Sequence, residues 1–152
     1  MIRVKICGIT RVADAEKAVE LGADALGFIF AKSPRQITHQ KAREITLRIS
    51  PFVKTVGVFV NERPAKIREI MDFCGLDLVQ LHGNESVSSC SELAPRVIKA
   101  FRVQGEKSLL QIAEYKNHVR AILLDAYQKG LNGGTGKTFD WHLAVKAKKT
   151  GI

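Results

Sequence analysis

The chain has 152 residues, 45% of them hydrophobic and 26% charged, with a formal net charge of +9. That length suits one domain able to bury about two-thirds of its unfolded surface, and that balance excludes a disordered chain. No apolar run reaches membrane-spanning length, and the N-terminus alternates basic with apolar residues where a secretion signal would be continuously apolar, so a cytoplasmic protein without membrane partners is expected.

The charge calls for an anionic partner. The lysines and arginines are scattered, however, and only Lys146, Lys148 and Lys149 approach a cluster. Without a nucleic-acid motif the reading favours a small anionic substrate over nucleic acid. Cys7, Cys74 and Cys90 are too widely spaced for a disulfide framework or a metal knuckle, so no metal is expected.

In chain order, Arg3-Val-Lys-Ile-Cys7 alternates as a strand and ends in Cys7-Gly8, where the backbone can turn. Asp14 to Gly22 has helical spacing with a glycine stop. Ala25 to Phe30 is a short apolar strand, followed by a helix from Thr38 to about Ile49. The cycle repeats with strand Thr55 to Val60, helix Pro64 to Cys74, strand Leu78 to His82 and helix Glu85 to Leu93. Strands Val97 to Phe101 and Ala121 to Asp125 enclose a helix from Lys107 to Tyr115, and Phe139-Asp-Trp141 leads into a basic helix to Lys149. Strict alternation of this kind implies parallel strands joined by right-handed crossovers.

Two architectures fit six such units: an open six-stranded sheet or part of an eight-fold β/α barrel. Polar residues stand at nearly every strand end: Cys7, Asn61, Gln80 with His82, Arg102 and Asp125. An open sheet gathers its site at one switch point, whereas a barrel brings every strand end to one rim, so the barrel is favoured. Cys7 read alone is a small apolar core residue, as most free cysteines are. Arg35, after the proline of Ser33-Pro-Arg35, offers a planar fork suited to a carboxylate or phosphate, although an arginine there is equally an ordinary solvated one. The glycine-rich run Gly130 to Thr138 resembles a phosphate loop, but the motif's first glycine would have to be position 131, which is Leu131. It is read as a flexible loop carrying Gly133, Gly134, Thr135 and Gly136 beside Asp125.

Taken together, Lys5-Ile-Cys-Gly-Ile-Thr10, Ala23-Asp-Ala-Leu-Gly-Phe-Ile-Phe30, Ser33-Pro-Arg35, Val56-Gly-Val-Phe-Val-Asn61, Val79-Gln-Leu-His-Gly83, Leu123-Leu-Asp125 and Gly133-Gly-Thr-Gly-Lys-Thr-Phe-Asp-Trp141 resemble the phosphoribosylanthranilate isomerase family, in the family's order. The resemblance implies a TIM-type (β/α)8 barrel of α/β class, of which about six units are present in this chain. It implies a cofactor-free Amadori rearrangement of phosphoribosylanthranilate in tryptophan biosynthesis. In that reaction Asp125 would be the general acid that opens the ribose ring, and Cys7 the general base that removes the C2′ proton. Arg35 would hold the anthranilate carboxylate, and His82 with Gln80 would complete the substrate-binding set. Ring opening needs a protonated carboxyl, which burial favours, and Lys5 on the face of Cys7 would favour its thiolate.

A complete barrel of this type needs at least about 200 residues, and its phosphate site usually lies in the loops after strands seven and eight. The sequence is therefore expected to be a truncated single barrel domain over 1–152, an isomerase by resemblance whose activity the want of those units leaves open. Unpaired edges on the first and sixth strands would promote a homo-oligomer or strand exchange. The alternative is a non-catalytic barrel fragment serving as an assembly or anion-binding module. Among enzymes the rival is another sugar-phosphate isomerase of the same fold.

Overall fold

The computed structural model describes residues 2–126, 138–149 and 151–152. Strand and helix alternate throughout: β1 (Lys5–Cys7), α1 (Val12–Glu20), β2 (Ala25–Ile29), α2 (His39–Thr46), β3 (Lys54–Phe59), α3 (Pro64–Cys74), β4 (Leu78–Leu81), α4 (Val87–Leu93), β5 (Val97–Val103), α5 (Lys107–Glu114), β6 (Ala121–Ala126) and α6 (Trp141–Lys148). The sheet order is the chain order, β1-β2-β3-β4-β5-β6. An open doubly wound sheet reverses its order at a switch point, and this order never reverses, so the architecture is the β/α-barrel type. No helix among the described residues is long and apolar enough to cross a membrane.

The chain divides into two compact units, 1–80 and 81–152. In the first, β1 pairs with β2 and β2 with β3, all parallel, with Cys7 opposite Gly27. Leu26, Phe28, Val56, Ile45 and Ile67 are fully buried between strands and helices. Phe30 stacks on Phe59 at 5.1 Å. The helix α3 has the bounds that its sequence signals give: Pro64 opens it, and Gly75 closes it in the left-handed conformation at φ 67°. By contrast, α2 stops at Thr46, short of the expected Ile49. The Thr46 hydroxyl turns back onto the Arg43 carbonyl and reaches the Cys74 carbonyl at 2.6 Å, while Leu47 is left exposed.

Two crossovers of this unit are closed by an aspartate at the foot of the returning strand. Asp24, after Gly22-Ala23, accepts the Val4 backbone N–H at 2.7 Å and Arg3 at 2.5 Å. Asp77, after Gly75-Leu76, accepts the Thr55 backbone N–H at 2.8 Å, its hydroxyl at 2.9 Å and Lys54 at 3.0 Å. The backbone bond from Val4, then Arg3, lowers the pKa of Asp24. Burial pushes Asp77 upward, but the bonds from Thr55 and Lys54 outweigh it and its pKa is also lowered.

In the second unit β5 and β6 pair in parallel, with Arg102 opposite Asp125. The strand β5 runs on to Val103, past the expected end at Phe101, because β6 continues the pairing to Val103 opposite Ala126. Phe101, Ile112 and Ala147 form its core with Leu109 and Tyr115, and Phe101 meets Tyr115 edge to face at 5.2 Å. The helix α4 begins at Val87, not Glu85, because Ser86 is its cap and accepts the Ser89 backbone N–H. That leaves Glu85 outside the helix and free to turn its carboxylate inward.

Candidate functional site

The expected site residues fall into a group within each unit. In the first, Cys7 ends β1 directly opposite Gly27 of β2. A Cβ on Gly27 would lie 2.8 Å from the Cys7 sulfur and 3.2 Å from its Cα, so the thiol occupies space that only glycine leaves. Gly8, at φ +85°, then turns the chain out of the strand, and the backbone N–H groups of Gly8 and Ile9 both donate to the Gly27 carbonyl. The turn at Ser33-Pro34 presents Arg35, whose Nη1 donates to the Cys7 carbonyl at 2.8 Å. A Cβ on Gly8 would sit 2.8 Å from that same Nη1, so this glycine makes room for the guanidinium. Lys5, expected to act on the thiol, instead donates through Nζ to Gln80 Oε1 at 2.7 Å. Gln80 itself is buried.

In the second unit, His82 follows β4 and Asp125 lies in β6, with His82 Nε2 and Asp125 Oδ2 3.1 Å apart. Both side chains are largely enclosed, 12% and 21% exposed. Burial depresses the His82 pKa below its ordinary 6.5; Asp125 opposes the shift, and the Lys99 and Arg102 charges reinforce it. The neutral imidazole is therefore favoured at neutral pH, and which atom donates in its bond to Asp125 depends on the tautomer. Arg102 lies within β5, not after it, in register with Asp125. The expected flexible-loop residues Gly133, Gly134, Thr135 and Gly136 lie outside the described residues.

Sequence reasoning passed over a third cluster. Lys99 of β5 is 3% exposed and Glu85 6%. Lys99 Nζ lies 3.1 Å from Glu85 Oε2 and donates to the carbonyls of Gly83 at 2.9 Å, Ala100 at 3.0 Å and Leu81 at 3.3 Å. Both Glu85 oxygens accept the Gly83 backbone N–H at 3.0 Å, and the Tyr115 hydroxyl donates to the Glu85 carbonyl. A lone lysine inside the apolar run Val97-Ile-Lys-Ala-Phe101 was the available signal, since a buried ammonium needs a partner. Among the described residues no group of three or more His, Cys, Asp or Glu could hold a metal ion.

Reactive side chains carried at the carboxyl ends of consecutive parallel strands are how β/α-barrel enzymes are built, and this chain is an enzyme of that class. More narrowly, the family described as N-(5'-phosphoribosyl)anthranilate (PRA) isomerase matches residues 4–151, and the chain belongs to it. The N-(5'-phosphoribosyl)anthranilate isomerase of Citrifermentans bemidjiense is 54% identical over 99% of this chain and 73% of its own length. Among solved structures, the phosphoribosyl anthranilate isomerase of Thermotoga maritima superposes with a TM-score of 0.90 at 45% identity, over 99% of this chain and 73% of that one. Another structure of such an isomerase, in complex with reduced 1-(o-carboxyphenylamino)-1-deoxyribulose 5-phosphate, has a TM-score of 0.85 at 42% identity, over 99% of this chain and 72% of that one.

Proposed function

We propose that this chain rearranges N-(5-phosphoribosyl)anthranilate to 1-(2-carboxyphenylamino)-1-deoxyribulose 5-phosphate, with Asp125 as general acid and Cys7 as general base. The observation that carries the assignment of the acid is the enclosed bond between His82 Nε2 and Asp125 Oδ2 at 3.1 Å. Asp125 protonates the ring oxygen while the anthranilate nitrogen pushes its lone pair toward C1′, so the ring C–O bond breaks and an imine forms. The Cys7 thiolate then takes the C2′ proton and the electrons flow back to nitrogen, giving an enamine that tautomerises to the ketone. One proton is given and one taken, so nothing is oxidised or reduced overall and no cofactor is required.

His82 is the neutral imidazole that orients the Asp125 carboxyl, and Gln80 joins it in lining the substrate. Arg35 holds the anthranilate carboxylate. Its fork has five N–H donors, and the bond to the Cys7 carbonyl fixes one edge of the guanidinium beside the proposed base. The ligand of the related complex, a reduced form of the proposed product that carries a carboxylate and a phosphate, is the kind of small anion this reading requires. The same reading treats 1–152 as one barrel-type domain at work in the cytoplasm, able to self-associate through its strand edges, which sedimentation tests directly.

The deciding experiment mixes the chain with phosphoribosylanthranilate and follows the loss of anthranilate-type fluorescence. Cys7→Ala and Asp125→Asn are each expected to cost at least about a hundredfold in kcat. Near-full turnover in either variant would overturn its assigned role. A parent that binds the product analogue without turning over would favour the anion-binding module instead.

A further inference from the structure

Lys99 and Glu85 take no part in the proposed chemistry, yet they form a buried ion pair. Alternation along β5 puts Lys99 on the same face as Phe101, the face that packs on α5 and α6, and the ammonium lies 5.5 Å from the Phe101 ring centre. A charge pair in that layer is not there for stability alone, because an apolar pair of the same shape usually serves the fold as well. Its hydrogen bonds show a more particular task. Lys99 holds the Leu81 carbonyl, which belongs to the peptide group before the Cα of His82. Glu85 holds the Gly83 N–H, which belongs to the peptide group after it, and Lys99 also holds the Gly83 carbonyl. Peptide groups are planar, so fixing both neighbours of one Cα fixes its φ and ψ and the direction in which its side chain leaves. Gly83, the residue best able to let this turn wander, is thus tied at both its N–H and its C=O.

We propose that the Lys99–Glu85 pair is a positioning device for His82, clamping the two peptide groups that flank it and so aiming its imidazole at Asp125. The inference rests on the reading in which His82 and Asp125 belong to the site. Charged groups acting on His82 are Asp125, Lys99 and Arg102, so removal of Lys99 also changes its proton equilibrium in a stated direction.

The test reads the imidazole nitrogens of His82 by NMR in the 152-residue chain, assigned with His82→Asn. Two variants are compared with the parent: Lys99→Met, which strands the Glu85 carboxylate, and Lys99→Met combined with Glu85→Gln, which removes both charges together and keeps the fold if the single variant does not. In the parent His82 should show the signals of one tautomer. In the double variant these should move toward the averaged values of a free neutral imidazole, and the acid midpoint should rise toward about 6.5. Turnover should fall about tenfold or more in kcat, with KM changing less than kcat, since the Arg35 contact is untouched while the acid is misaimed. A folded double variant with unchanged His82 signals would overturn the proposal. Full turnover in His82→Asn would instead overturn the place of His82 in the reaction, while altered imidazole signals would still establish the clamp.

Discussion

The strands around Cys7 and those around Asp125 hold their reactive groups by different means. Beside Cys7 the site is made by subtraction: Gly27 leaves room for the sulfur and Gly8 for the guanidinium of Arg35. Beside Asp125 it is made by addition, with a buried ammonium and carboxylate gripping the backbone that carries His82. The first arrangement constrains by shape and costs little; the second concentrates charge where an unpaired partner would be expensive. Damage to the two should therefore differ in size and kind.

The largest effect is expected at the charged side. Lys99→Ala leaves the Glu85 carboxylate buried without its cation and should lower unfolding free energy by about 3–5 kcal/mol in urea; a loss below about 1 kcal/mol would mean that water readily reaches the pair. On the other side Gly27→Ala forces its methyl against the Cys7 sulfur and backbone, an overpacking expected to cost about 1–3 kcal/mol. The rate of Cys7 alkylation should change with it, and an unchanged rate would show that β1 simply moves aside.

The smallest effect is a pH dependence confined to the charged side. The folded state depresses the His82 pKa below 6.5, so the unfolded chain binds the extra proton. Stability from this source is complete above 6.5, falls as the pH drops from there toward the lower folded value, and then levels. Urea midpoints at about pH 7.5 and about pH 5.5 should differ in the parent and converge in His82→Asn. Asp24 and Asp77, whose pKa values are lowered from 3.8, act only in a more acid window and do not blur the comparison.

The same contrast explains what could be read from the sequence. Period and punctuation sufficed for all six strand and helix pairs, and α3 even has its expected bounds, because Pro64 and Gly75 act on the local backbone. Cys7, His82 and Asp125 were proposed from their place at strand ends, and Arg35 from its loop and from family resemblance, and those roles remain the proposal that the variants test. Gly27 and Gly8 stood within quoted segments, but what a glycine makes room for depends on a neighbouring strand or loop. Glu85 was read as the start of a helix because its side chain's use is decided by Lys99, fourteen positions on and in the next strand. Lys5 was assigned to Cys7 by strand alternation alone, and only the fold shows that Gln80 takes its ammonium.

The two aspartates at the feet of β2 and β4 bear on how quickly the chain can organise. Asp24 reaches back 20 positions to Val4, and Asp77 reaches back 22 to Thr55, each joining the start of one strand to the threshold of a later one. Closing a loop of that size costs little more entropy than closing a shorter one, and the contact is local by the standards of a parallel sheet. These two crossovers thus carry their own fasteners, so the segments β1-α1-β2 and β3-α3-β4 can each register without waiting for the remainder of the sheet to assemble.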